Sequence, residues 1–182
     1  MEDYLTKYIT DDGFDISRLI NDDFFDAIKI LFNAGKYISS CKLLMSAVDT
    51  LGFIKYGYDS DAFKKWLADY ADLSAVNISV DELWEYRNAL LHMTNMESKK
   101  IKKGLHPIII GYVVGKGYSG KIPKPPAGKK HFNIMELINI IAVGISKFTD
   151  DFLKNKKNVE LFVERYDSIL SDSRYLWIHE TD

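Results

Sequence analysis

Apolar residues recur along most of this chain at the three-and-four spacing that makes one face of an α-helix. Phe24, Phe25, Ile28, Leu31 and Phe32 form the first such face. Asn21 in front of it reads as an N-cap, the acids that follow suit the positive end of a helix dipole, and Gly35 reads as a stop. A second helix is predicted from Lys36 to Gly52 or Lys55, on Ile38, Cys41, Leu44, Met45, Val48 and Leu51, with Gly57 closing it. A third, capped by Asp59 or Ser60, runs from Asp61 to about Ala71 on Phe63, Trp66, Leu67 and Tyr70. Ser79 with Glu82 spells a capping box and opens a fourth, whose stripe is Val80, Leu83, Trp84, Leu90, Leu91 and Thr94. Asn133 with Glu136 repeats that signature before a long helix to about Lys154, which buries Leu137, Ile138, Ile141, Ile145, Phe148 and Phe152. A final helix is predicted from Val159 to Leu170, and a short one from Glu2 to Thr10 ahead of a turn at Asp11-Asp12-Gly13.

The period changes once. His106 to Gly115 is short, β-branched and bounded by Gly and Pro, as a strand is, and Gly115 to Gly128 is too rich in Gly and Pro for regular structure. Lys129 to Phe132 reads as a second strand. A lone two-stranded hairpin is not stable, so this one is expected to pack on the helices. The apolar tail, Tyr175 to Ile178, is expected to dock on the same body or on a partner subunit. The expected fold is all-α: an up-and-down bundle of five to six main helices with a small inserted β-hairpin at about residues 105–132. It forms one domain over 1–182, with a basic insertion at about 99–132.

With 182 residues, 47% of them hydrophobic and 27% charged, the chain is long enough for one real core. It has no apolar run long enough for a membrane span, and its first residues are acidic where a signal peptide would be basic, so a soluble cytoplasmic protein is expected. Cys41 is the only cysteine, which excludes an internal disulfide and a cysteine zinc site and fits a buried structural thiol. His92, His106, His131 and His179 lack helix-borne zinc spacing, and no metal or cofactor is expected. Gly115 to Lys121 resembles a phosphate loop only superficially, since Pro123 stands where its helix would have to start.

Charge is segregated. Between Ser98 and Met135 lie nine lysines (99, 100, 102, 103, 116, 121, 124, 129 and 130) and no acid; removing them from the net −2 leaves −11 for the remainder. That is either a merely solvated loop or a basic surface for an anionic partner.

The stretch from Ser79 to Asn95 carries the candidate chemistry. Arg87 falls inside the apolar stripe, where a guanidinium must reach solvent or pair with a core carboxylate. Asn88 and His92 lie four residues apart on the adjacent face, with Asn95 close by and Asp81 and Glu85 flanking. On a regular helix Arg87 and His92 stand roughly 140° apart.

The run Arg87-Asn88-Ala89-Leu90-Leu91-His92 resembles the signature of the HEPN family of helical domains: an Arg, often followed by a polar residue, then a His four to six positions later near the end of an internal helix. The flanking Leu83-Trp84-Glu85-Tyr86 and Met93-Thr94-Asn95 are similar as well. The resemblance implies a metal-independent endoribonuclease working at a composite homodimer site, a toxin or antiviral effector held in check by an antitoxin protein. It gives His92 the role of general acid/base, Arg87 that of phosphate ligand, and Asn88 that of orienting the imidazole or touching the phosphate. Lys99, Lys100, Lys102, Lys103, Lys129 and Lys130 would then track the RNA backbone, with Tyr112, Tyr118 and Phe132 as stacking surfaces. Two alternatives stand beside it. One is a non-catalytic HEPN module binding RNA, nucleotide or protein, for which Glu85 beside His92 is an argument. The other is a helical interaction or assembly protein in which Arg87 and His92 satisfy each other.

Overall fold

Asp15 starts the first long helix, its side chain accepting the Arg18 N–H at 2.9 Å. The computed structural model describes residues 4–11, 13–93 and 97–169. The helix runs through α1 (Ile16–Ile20), a π-helical turn (Asn21–Phe25) and α2 (Asp26–Asn33), so Asn21 lies inside it rather than capping it. Asp15 wins because Ile16, Leu19 and Ile20 are buried and extend the apolar face one turn further back. Ahead of this helix the expected N-terminal helix shrinks to a 3₁₀ turn (Tyr4–Tyr8). There β1 (Ile9–Thr10) and β2 (Gly13–Phe14) form a small antiparallel pair.

The chain is mostly helical. α3 (Tyr37–Tyr56) ends at Gly57, whose φ of 68° suits a residue without Cβ, and α4 (Ala62–Tyr70) packs back against it. A 3₁₀ turn (Leu73–Val76) leads to α5 (Val80–Asn88), which continues as a π-helical turn (Ala89–Met93). The capping box is present in both directions: Ser79 Oγ accepts the Glu82 N–H, and the Glu82 carboxylate accepts the Ser79 N–H. Short α6 (Lys99–Lys102) follows, then β3 (Ile108–Tyr112), β4 (Lys129–Asn133), α7 (Ile134–Leu153) and α8 (Lys156–Ile169). Asn133 caps α7 through the N–H groups of Met135 and Glu136. All six residues expected on the inner side of α7 are buried, each contributing about 1.5–3 kcal/mol. Polar ties sit at the rim of this core. Asp151 on α7 accepts from Lys55 of α3 at 2.7 Å and from Tyr70 of α4 at 2.8 Å, and Arg165 of α8 donates to the Ile54 carbonyl at 2.6 Å.

The inserted pair is not a hairpin. β3 and β4 run parallel, with Ile108 opposite Lys129 and Tyr112 opposite Asn133, and segment 113–128 carries the chain back to the starting end. Hairpin loops are short, whereas a parallel pair needs a connection of a dozen or more residues, and this loop is long enough. Packing selects the arrangement. Ile109 and Phe132 are both buried, the Phe132 ring meets Tyr86 of α5 edge-on at 5.3 Å, and Lys130 reaches back to Glu82 at 2.8 Å. Among the described residues no helix is long and apolar enough to cross a membrane. Thr94, Asn95 and the tail from residue 170 lie outside the described residues.

Two outcomes follow from this packing. A Cβ on Gly52 would stand 2.9 Å from the backbone C and O of Ala62, where α3 and α4 touch. Gly52→Ala is therefore expected to destabilise the fold by about 1–3 kcal/mol, seen as a lower urea midpoint at unchanged slope. Burial pushes the Glu82 carboxyl up, but Lys130 and the Ser79 N–H pull it further down, leaving it below its ordinary value. A depressed carboxyl stabilises the fold fully above the unfolded-state pKa of about 4.3, and that contribution is lost as pH falls through the lower folded value. Amide exchange in β3 and β4 should accelerate over that acid range, and Lys130→Met should weaken the effect.

Candidate functional site

Core packing orients α5. Leu83, Tyr86, Ala89 and Leu90 point inward, while Val80, Trp84 and Leu91 are half-buried at the edge of the core. Arg87 therefore lies on the flank rather than in the middle of the buried face, with 17% of its side chain exposed. It faces α3. Arg87 Nε and Nη2 both donate to Asp49 Oδ2, at 2.8 and 2.6 Å, and the guanidinium carbon lies 5.0 Å from the Trp84 ring centroid. Burial pushes the Asp49 carboxyl up, and the hydrogen bond and charge of Arg87 pull it part of the way back.

The third guanidinium nitrogen completes the site. Arg87 Nη1 donates to Asn88 Oδ1 at 3.0 Å and lies 3.0 Å from His92 Nε2. Arginine has no acceptor, so Nε2 is the acceptor in this contact. The meeting is possible because Ala89–Met93 is a π-helical turn. One residue inserted into a helix turns everything after it back by about 100°. His92, inside this turn, is rotated back towards Arg87, and the separation of a regular helix narrows.

A cleft of about 360 Å³ opens beside these residues, lined by Trp84, Glu85, Asn88, His92, Ser98, Lys99 and Lys100. Glu85 is buried in its wall, accepting the Ser98 hydroxyl at 2.5 Å and pairing with Lys100 at 3.2 Å. Its charge is therefore answered within the chain, and the contact folds the start of the basic segment back onto α5. Asp81, the other flanking acid, pairs with Lys64 at 2.7 Å.

The expected site residues separate accordingly. Arg87, Asn88, His92, Lys99 and Lys100 come together. Lys102 and Lys103 are exposed on and after α6 but do not line the cleft, and exposed Lys129 lines a different groove with Leu105 and His106. Lys130 is held by Glu82. Of the aromatics, Phe132 is buried and cannot stack on a base, Tyr112 lies against His131, and Tyr118 is exposed with its hydroxyl on the Lys121 carbonyl. Segment 113–128 holds no helix, so the phosphate-loop likeness has no structural counterpart. Among the described residues no three His, Cys, Asp or Glu side chains converge as a metal site would require. Cys41 is buried as expected, and its thiol is pushed up by that burial.

Asp49 is the residue that the sequence reading missed. A signal exists: it is the one acid between Lys36 and Gly57, set among apolar and small residues, and such a carboxylate implies a cation facing it. Nothing in the linear order says which cation. Compared with models of known protein families, with curated proteins and with solved structures, the chain matches none.

The wall of the cleft can be tested directly. Glu85→Ala leaves the Ser98 hydroxyl and Lys100 without their carboxylate and is expected to cost about 1–3 kcal/mol in thermal unfolding. Amide exchange should rise locally around Ser98–Ile101, while the centre of α3 remains protected.

Proposed function

We propose that this chain is a metal-independent endoribonuclease of the HEPN type. The carrying observation is the convergence of Arg87 Nη1, Asn88 Oδ1 and His92 Nε2 within 3.0 Å contacts at the mouth of a cleft flanked by Lys99 and Lys100. In this reading the helices form the up-and-down bundle of a HEPN domain, and two copies meet as a homodimer across the Arg87–His92 faces. His92 takes or gives the proton at the RNA 2′-OH or the leaving oxygen, since imidazole can both accept and donate a proton. Arg87 carries a permanent charge and a planar fork of donors suited to phosphate oxygens. Asn88 orients the pair, and the lysines supply the salt-sensitive attraction to the RNA backbone. Such a protein would act as a toxin or antiviral effector under the control of an antitoxin.

One observation favours a second reading. Arg87 makes four contacts within its own chain, to Asp49, Asn88 and His92, which is also what a non-catalytic HEPN module or a helical assembly protein would display. Cleavage separates the two. The purified chain is expected to cut single-stranded RNA in EDTA, with His92→Ala slower by roughly 10²–10⁴-fold. Equal cutting by both would sink the proposal, and tight, salt-sensitive RNA binding without products would select the non-catalytic module.

A further inference from the structure

We propose that Asp49 is the positioning residue of this site, the side chain that sets the direction in which Arg87 presents its guanidinium to Asn88, His92 and an incoming phosphate. Asp49 stands on α3, away in sequence from the motif, and both of its contacts use one oxygen: Oδ2 accepts from Arg87 Nε at 2.8 Å and from Nη2 at 2.6 Å. A guanidinium is planar and rigid, so fixing two of its nitrogens fixes the third. Nη1 is left with one direction, and there it meets Asn88 Oδ1 and His92 Nε2, each at 3.0 Å. The neighbouring acids of α5 are engaged elsewhere: Asp81 with Lys64, Glu82 with Lys130, and Glu85 with Ser98 and Lys100. Among the described residues Asp49 is the one carboxylate hydrogen-bonded to Arg87. The Trp84 ring lies 5.0 Å from the guanidinium carbon and offers no directional contact, so removing Asp49 removes the contact that sets its rotation.

The kinetic part of the test rests on the ribonuclease reading, and the spectroscopic part does not. In side-chain N–H NMR spectra the Arg87 Nε–H should be slowly exchanging in the wild type. In Asp49→Ala it should exchange freely, and the His92 ring signals should move. Asp49→Asn keeps an acceptor in place and should retain part of the protection; it also carries the test if the alanine variant does not fold. For RNA cleavage in EDTA, Asp49→Ala should lower kcat by roughly 10²-fold with KM little changed, Asp49→Asn should recover part of that loss, and Asp49→Ala should add nothing to Arg87→Ala. A protected Arg87 Nε–H in Asp49→Ala overturns the proposal whether or not the chain cuts RNA, and so does a kinetic loss that adds in full to that of Arg87→Ala. A freed Arg87 in a chain that never cuts RNA upholds the role of Asp49 and overturns only the ribonuclease reading.

Discussion

Arg87 and Asp49 form a charged contact between two helices in a place that water reaches only in part, with side-chain exposures of 17% and 29%. Such a pair must recover its desolvation through good geometry, and removing one partner generally costs roughly 3–5 kcal/mol because the other charge is left behind. Here the geometry is good, with two donors on one oxygen and an aromatic ring at the guanidinium face. An apolar pair of similar volume would hold α3 and α5 together about as well. What it would not do is aim Nη1 at His92. Asn88 and His92 both meet the guanidinium that this contact holds.

The second constraint is helix phase. A π-turn makes poorer use of the backbone than an α-turn and is rare, and this one lies where His92 comes into contact with Arg87. The other π-turn, at Asn21–Phe25, has a packing role: Phe24 and Phe25 are buried around it. The same local irregularity thus serves the core in one helix and aligns polar atoms in the other.

The charge segregation also acquires a structural component. Glu82 and Glu85 lie three residues apart on α5 and are both buried, each under a lysine of the basic segment, Lys130 and Lys100 respectively. Part of the lysine excess therefore neutralises acids of the motif helix, and part stays exposed beside the cleft or along 113–128. The parallel strand pair is built on the same contact: Lys130 and Phe132 anchor β4 to α5, and the long loop lets β3 join it in the same direction.

Local information determined a great deal of this chain. The capping box at Ser79, the stop at Gly57, the Asn133 cap and the apolar face of α7 are interactions among residues within a few positions of one another, and each is present as read. Arg87, Asn88 and His92 were legible as polar residues close in sequence, but not as side chains in mutual contact. Tertiary structure decided what distance along the chain conceals. Asn21 became an interior residue because buried Ile16, Leu19 and Ile20 extended its helix, and the strands became parallel because Phe132 and Lys130 had partners on α5. The carboxylate answering Arg87 came from α3, 38 positions earlier. A sequence states that a half-buried charge needs a partner and that a helix has a phase. Only packing selects which partner arrives, and whether one inserted residue turns His92 to meet Arg87.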